Sequence, residues 1–187
     1  MHDVIIIGGG PAGVLCGSIL QQNGADVLLL ERAQHPRHHI GESMQPATFD
    51  LLELHLGLKE KLKSQGYANK FGAVYIWGES REPWSILFDE RLEKQTDELT
   101  EQELLSGGFE QAWQVHRSSF DAILFEEAVR QGLQTKHCSV REVLFEEHRA
   151  VGVLLDNGRE LRAGLIIDAS GQRCLLGRQL KLIEQAE

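Results

Sequence analysis

The chain of 187 residues is long enough for one domain with a sizeable hydrophobic core, and its 42% hydrophobic and 25% charged residues are ordinary for a globular protein. Its net charge of −9 argues against a nucleic-acid binder and against docking on an anionic membrane, because either function needs a basic face. No apolar run is long enough to span a bilayer, and we expect no signal peptide. The three cysteines are far apart and lack metal-site spacing, so we expect reduced thiols, a cytoplasmic location and no metal.

The N-terminal residues alternate between the patterns of buried strands and of a helix. A run of Val and Ile that ends in glycines predicts a buried strand over Asp3–Gly8. Pro11–Asn23 is predicted as a helix, because Pro stands in its first turn, apolar residues recur at helical spacing and Gly24 follows. A second apolar run predicts another buried strand over Ala25–Glu31. This order favours two parallel strands joined by a helix.

The pattern changes in the middle of the chain. A polar loop, two helices and two strands are predicted there, in this order: Ala33–Ser43, Pro46–His55, Lys59–Gln65, Phe71–Trp77 and Trp84–Phe88. The acidic stretch Asp89–Glu103 is predicted as a solvated loop or an exposed helix. We interpret residues 67–106 as an inserted β segment.

The C-terminal part returns to a helix followed by strands. Ser118–Gln131 is predicted as an amphipathic helix with a buried stripe of Phe120, Ile123, Leu124 and Val129. Five strands are predicted after it, with an Asp-Asn-Gly turn before the fourth: Thr135–Val140, Val143–Glu147, Ala150–Leu155, Glu160–Arg162 and Leu165–Asp168. The fold class is therefore α/β, with a parallel sheet and a β-hairpin or meander crossover.

The stretch Gly8-Gly9-Gly10-Pro11-Ala12-Gly13 has the spacing G-x-G-x-x-G between the first strand and the first helix. Gly8 permits a tight turn, Gly10 lets a pyrophosphate approach the backbone, and Gly13 allows the helix to pack closely on the sheet. The helix N-terminus offers free N–H groups and partial positive charge to phosphates. The pattern predicts a Rossmann-like nucleotide site.

Glu31 ends the second predicted strand, close to the spacing of about 20 residues expected for a carboxylate that binds ribose hydroxyls. The unit therefore predicts binding of the ADP half of a dinucleotide. This geometry leaves FAD and NAD open, because both contain that half.

Two later features favour FAD. Arg117 at the start of the amphipathic helix, and Asp168-Ala169-Ser170-Gly171 at the end of the last strand, resemble elements of the FAD-dependent monooxygenase superfamily. In that superfamily the nucleotide domain is assembled from distant segments. From the residues alone, Arg117 also fits a capping or salt-bridging arginine, and Asp168 also fits a strand-end turn residue.

Three further stretches resemble flavin-dependent halogenases. Pro36-Arg37-His38-His39-Ile40-Gly41-Glu42-Ser43 is similar to the family's P-R-x-x-[IV]-G-E-S segment, and the residues from Gly66 to Trp84 are similar to a second stretch. Trp113–Asp121 resembles the family's V-x-R-x-x-F-D helix start. The matches run in order from residue 3 to about residue 177, and residues 67–106 would then lie on the substrate side.

The resemblance implies a reaction and its participants. A separate flavin reductase supplies reduced FAD, which with oxygen and chloride or bromide gives hypohalous acid, and a lysine directs this reagent onto an electron-rich ring. Lys70 stands at the matching position and is the predicted catalytic residue; the alternative from spacing alone is a surface lysine. The substrate would be an aromatic small molecule or a carrier-tethered ring, in secondary metabolism.

The motifs and the resemblance together predict these cofactor-binding residues: Gly8, Gly10, Pro11, Ala12, Gly13, Glu31, Arg32, Arg37, Gly41, Glu42, Ser43, Arg117, Val140, Asp168 and Ala169. For Ser43 the residues leave open a second role, as the cap of the helix that begins near Pro46. The backbone N–H groups around Glu42 and Ser43 would otherwise contact the flavin ring or a halide.

The leading hypothesis is thus the N-terminal FAD-binding part of a flavin-dependent halogenase, a single incomplete domain over residues 1–187. The superfamily has a later Gly-Asp segment and most of its substrate domain beyond the matched residues, so we expect a truncated chain that is inactive alone. The alternatives are a flavoprotein aromatic monooxygenase, which hydroxylates and needs no Lys70, and a catalytically inactive FAD-binding module.

Overall fold

The computed structural model describes residues 1–90 and 112–184, which divide into two compact units. The sheet unit consists of Met1–His39 and the chain from Arg117 onward, and the middle unit consists of Ile40–His116. No helix within the described residues combines the length and the apolar character needed to cross a bilayer.

The sheet unit opens with the predicted strand–helix–strand order. β1 (His2–Ile7), α1 (Pro11–Gln22) and β2 (Val27–Glu31) follow one another, and β1 pairs with β2 in parallel. All five residues of β2 are buried, as expected for a strand covered on both faces.

Four strands of the C-terminal part join β1 and β2 in one sheet: β7 (Gln134–His137), β8 (Val140–Glu146), β9 (Arg149–Leu155) and β10 (Glu160–Asp168). The order of the six strands is β7-β2-β1-β10-β9-β8. β7, β2, β1 and β10 are mutually parallel, while β8, β9 and the start of β10 form an antiparallel meander. The predicted α/β class with a mostly parallel sheet and a meander is confirmed.

Two strand predictions in this region are wrong. The single strand predicted over Thr135–Val140 is divided at Cys138 and Ser139, because the chain leaves β2 for β9 there: Cys138 N–H donates to the Glu31 carbonyl at 2.9 Å, and the Ser139 carbonyl accepts from Asp156 at 3.0 Å. The two short strands predicted near the C-terminus are one strand, β10, which exchanges β9 for β1 as its partner at Ala163.

α4 here denotes Arg117–Arg130, which packs against α1. Phe120, Ile123 and Leu124 are buried as predicted, but Val129 is 43% exposed. Ala128 and Glu127 are buried in its place. Positions three and four residues after Leu124 return to the same helix face, whereas the fifth does not.

The middle unit contains two helices, α2 (Pro46–Leu56) and α3 (Lys59–Lys63), both near their predicted bounds. Four strands form two antiparallel pairs: β3 (Ala68–Lys70) with β6 (Ala112–Gln114), and β4 (Gly72–Ile76) with β5 (Pro83–Leu87). The sequence patterns predicted β4 and β5 but not the three-residue strands β3 and β6. Residues 91–103 of the acidic stretch and 91–106 of the inserted segment lie outside the described residues.

Past β10 the chain forms a 3-10 turn (Gly171–Arg173) and α5 (Leu175–Gln179). Leu175 joins a core formed by residues of the central strands: Ile5, Ile7, Leu28, Leu30, Val140, Val143, Val153, Leu155, Ala163 and Ile166.

We expect Phe120→Ala to lower the free energy of unfolding by about 3–5 kcal/mol, because this ring is fully buried and its loss leaves a cavity. Val129→Ala on the same helix is the matched control and should cost less than about 1 kcal/mol, because Val129 is 43% exposed. Urea unfolding of both variants measures the difference. Equal losses would show that the assigned face of α4 is wrong.

Candidate functional site

The glycine turn after β1 contains two backbone contacts that exclude side chains. A Cβ on Gly8, whose φ is +112°, would lie 2.3 Å from the carbonyl oxygen of Ala169. A Cβ on Gly13 would lie 2.0 Å from the carbonyl oxygen of Gly8. Both distances are far inside van der Waals contact, so the end of β1, the start of α1 and the end of β10 meet backbone to backbone.

Gly10 differs from these two glycines, since its backbone is ordinary and its surroundings are open. It is the N-cap of α1 with φ −78° and ψ 178°, and it offers no capping oxygen to the first-turn N–H groups. Among the described residues, and apart from the neighbouring backbone, the atom nearest to a Cβ placed on Gly10 is Arg37 Nη2, at 3.6 Å. Pro11 and Ala12 follow in the first turn. An uncapped helix N-terminus beside open space and a guanidinium fits a diphosphate.

Glu31 faces this turn from the end of β2. Its side chain is buried, and its carboxylate accepts from the N–H of Gly9 at 2.6 Å and of Ala33 at 2.8 Å. Burial acts to raise the pKa of Glu31, but these two hydrogen bonds and the charge of Arg37 outweigh it and hold the pKa below its ordinary value. The carboxylate is therefore ionised at neutral pH and fixed beside the glycines.

Two arginines and a second carboxylate complete the polar cluster. The guanidinium nitrogens of Arg37 lie 3.5 Å from a carboxylate oxygen of Glu31 and 3.5 Å from one of Asp121. Arg117 donates two hydrogen bonds, of 2.7 and 2.9 Å, to the carboxylate of Asp121. Sequence reasoning selected Arg37, Arg117 and Glu31 as cofactor-binding residues; it noted Asp121 only as the last residue of the helix-start motif and gave it no role. Its available signal was a charged residue one turn after Arg117, next to the buried Phe120.

His35 is a second residue that sequence reasoning missed. Its ring stacks on Phe125 with centroids 4.7 Å apart, and Phe125 Cε2 would lie 3.0 Å from a Cβ on Gly9. Burial, followed by the charge of Arg37, lowers the pKa of His35. The two stacked rings therefore lie beside the glycine turn.

The remaining predicted residues of the sheet unit lie at strand ends. The Asp168 carboxylate accepts from the N–H of Ser170 at 3.0 Å and of Leu176 at 2.8 Å, which is the geometry of a strand-end turn. Val140 is buried at the start of β8, and its carbonyl accepts from Arg173 at 3.1 Å. Arg32 is exposed just after Glu31. Their roles toward a cofactor stay predictions.

In the middle unit the Gly-Glu-Ser segment lies along β6. The Glu42 carbonyl accepts from Val115 at 2.8 Å, Ser43 forms a bridge with Gln114, and Met44 donates to the Trp113 carbonyl at 3.2 Å. Gly41, Glu42 and Ser43 are exposed. The N-cap of α2 is Gln45, so the interpretation of Ser43 as its cap is wrong.

Lys70 is buried, with 8% of its surface exposed, so the alternative of a surface lysine is wrong. Its Nζ donates to the Met44 carbonyl at 3.0 Å and lies 5.0 Å from the ring centroid of Phe88. No carboxylate in the described part of the chain forms an ion pair with it, and burial lowers the pKa of Lys70. β6 thus brings together two motifs that are distant in sequence, the Gly-Glu-Ser segment and the lysine.

Several halogenases align with this chain over most of its length. A myxobacterial chondrochloren halogenase aligns with a TM-score of 0.72 and 38% identity, over 92% of this chain and 38% of the halogenase. A 1H-pyrrole-2-carbonyl-[peptidyl-carrier protein] brominase of Pseudoalteromonas luteoviolacea is 31% identical over 95% of this chain and 39% of its own length. The corresponding chlorinase of Pseudomonas fluorescens is 32% identical over 98% and 42%.

We expect Glu31→Gln to destabilise the protein by about 1–3 kcal/mol at neutral pH, because an amide cannot accept both backbone hydrogen bonds. The folded-state pKa is lowered, so the carboxylate's contribution is complete above the unfolded-state pKa and is lost as the pH falls through the folded-state pKa. The gap between wild type and variant should therefore close in acid. Urea unfolding at neutral and acid pH measures it, with exposed Glu126→Gln as control; a gap that is constant with pH would contradict the assignment.

We expect Gly10→Ala to weaken ADP binding about tenfold or more, because the new methyl group enters the open space. The backbone at Gly10 accepts alanine, so unfolding should change by about 1 kcal/mol or less. Gly177→Ala is the matched control, since its Cβ makes only ordinary contacts. Calorimetric titration with ADP separates the two variants, and equal affinities would place the diphosphate elsewhere.

A family model described as FAD binding domain matches residues 1–186, nearly the whole chain. The chain spans about two fifths of the length of the curated relatives described above. The predicted resemblance to the N-terminal part of flavin-dependent halogenases is confirmed, and so is FAD as the cofactor of the family. The chain belongs to the FAD binding domain family.

Proposed function

We propose that this chain is the FAD-binding part of a flavin-dependent halogenase. The observation that carries the proposal is the buried lysine: Lys70 lies against the Met44 carbonyl, at the end of the Gly-Glu-Ser segment, without a carboxylate partner among the described residues. The similarity to the brominase and the chlorinase supports the same activity.

The glycine turn would hold the ADP half of FAD. Glu31 would bind the ribose, the N-terminus of α1 and Arg37 would bind the diphosphate, and Arg117 would act through the same cluster. The open space at Gly10 and the guanidinium next to it support this placement. When bound, FAD would supply the redox chemistry that turns oxygen and halide into an electrophilic halogen reagent.

Lys70 would orient that reagent toward the substrate ring. An ammonium has three donors, and among the described residues only the Met44 carbonyl accepts from one of them, so the others would polarise hypohalous acid. Burial lowers the pKa of Lys70 and so raises the share of free amine. A free amine would favour a second route, in which its nitrogen takes the halogen from hypohalous acid and water leaves, giving a haloamine.

The substrate and partners follow from the same proposal. The two curated relatives carry names that specify a pyrrole carbonyl group on a peptidyl carrier protein, so a carrier-tethered or free electron-rich aromatic ring is proposed here as well. A separate flavin reductase would deliver reduced FAD.

A cytoplasmic location is proposed from the three separated free thiols, Cys16, Cys138 and Cys174. We also propose that the 187-residue chain alone binds FAD weakly and has no turnover.

The halogenase proposal is tested with the protein as its own coding frame expresses it, supplied with reduced FAD, oxygen and bromide or chloride. A product that carries the halogen isotope pattern is expected. A product heavier by one oxygen atom would instead identify an aromatic hydroxylase.

We expect Lys70→Met to lower halogenation about 100-fold or more while oxidation of reduced FAD continues, because the variant keeps the apolar stem and loses the donor. Lys63→Met, at an exposed position of α3, is the matched control and should keep full activity. Product mass and the rate of flavin oxidation are measured together. Halogenation that survives in Lys70→Met would refute the role of this lysine.

A further inference from the structure

Asp121 is a fully buried carboxylate between two guanidinium groups. Its side chain is 0% exposed, on α4 one turn after Arg117. Arg117 donates to both of its oxygens, at 2.7 and 2.9 Å. Such a fork fixes the carboxylate in one orientation, and burial of a charge is costly unless the charge is paired in this way.

Arg37 lies on the other side of this carboxylate, and its contacts are looser. Nη1 is 3.5 Å from Asp121 Oδ2, and Nη2 is 3.5 Å from Glu31 Oε2. Nε and Nη1 are buried without a hydrogen-bond partner in the described part of the chain. Charge therefore holds the guanidinium between two carboxylates, while much of its donor capacity is unused.

The same guanidinium borders the open space at the glycine turn. Nη2 lies 3.6 Å from the position of a Cβ on Gly10, and it is the nearest atom there apart from the neighbouring backbone in the part of the chain that the structure describes. A diphosphate at this turn would meet α1 on one side and Nη2 of Arg37 on the other.

We propose that Asp121 is a positioning residue of the cofactor site, which sets the guanidinium of Arg37 beside Gly10 to receive the diphosphate. The inference rests on the proposed cofactor site. Arg117 anchors the carboxylate, and Glu31 balances it from the opposite side. Charge alone gives the opposite sign of effect: a carboxylate near an anion repels it, so its neutralisation would strengthen diphosphate binding if it had no positioning role.

The test compares Asp121→Asn with wild type by titration with ADP and with adenosine. We expect ADP affinity to fall about tenfold, by about 1.4 kcal/mol, while adenosine affinity stays within about twofold. Glu127→Gln is the matched control: Glu127 is a buried carboxylate on the same helix whose partners include Arg130 and Gln131. It should leave both affinities unchanged. In an Arg37→Met background, Asp121→Asn should have no further effect on the ratio of the two affinities.

Several results would overturn the proposal. Unchanged or tighter ADP binding by Asp121→Asn would show that the carboxylate acts by charge or not at all, and equal weakening of ADP and adenosine would show a general structural role. If Asp121→Asn does not fold, Asp121→Ser replaces it, because serine keeps an acceptor oxygen for Arg117. The same fall in ADP affinity relative to adenosine affinity is then expected. A wild-type chain that binds no ADP would refute the cofactor site itself, which is a different outcome from binding that ignores Asp121.

Discussion

At the end of β1 three stretches of backbone meet so closely that no Cβ fits between them. A side chain on Gly8 would collide with the Ala169 carbonyl, and one on Gly13 would collide with the Gly8 carbonyl. These approaches fix the angle at which α1 leaves the sheet, and hence the direction of its N-terminal N–H groups. Glu31 and Arg37 lie beside this helix end, so their positions relative to the N–H groups of α1 depend on the same close approaches.

Around this turn the charges are balanced locally. Glu31 and Asp121 supply two buried carboxylates, and Arg37 and Arg117 supply two guanidinium groups. In a chain with a net charge of −9, this cluster therefore adds no net negative charge at the glycine turn. In the proposed site, the attraction for a diphosphate would come from directed groups, the N-terminus of α1 and Nη2 of Arg37.

The sequence patterns predicted those parts of the structure that depend on local order. The glycine spacing, the length of α1 and the position of Glu31 follow from one continuous stretch, so periodicity and spacing suffice. β3 and β6 were missed because three residues carry no periodic signal, and each strand forms only by pairing with a distant one. Asp121 was seen as part of the helix-start motif but received no role, because its contact with Arg37 joins residues that are remote in sequence. The motifs around Lys70 were found by resemblance, but their junction through β6 required the fold.

The pairing of β1 with β10 has a consequence for biosynthesis. β1 lies between β2 and β10, and its register with β10 joins residues 2–7 to residues 163–168. During translation β1 is therefore made long before its second neighbour, and contacts between residues so far apart in sequence form slowly. Until β10 is made, one edge of β1 lacks its native partner, and an unpaired strand edge is a template for association with other chains.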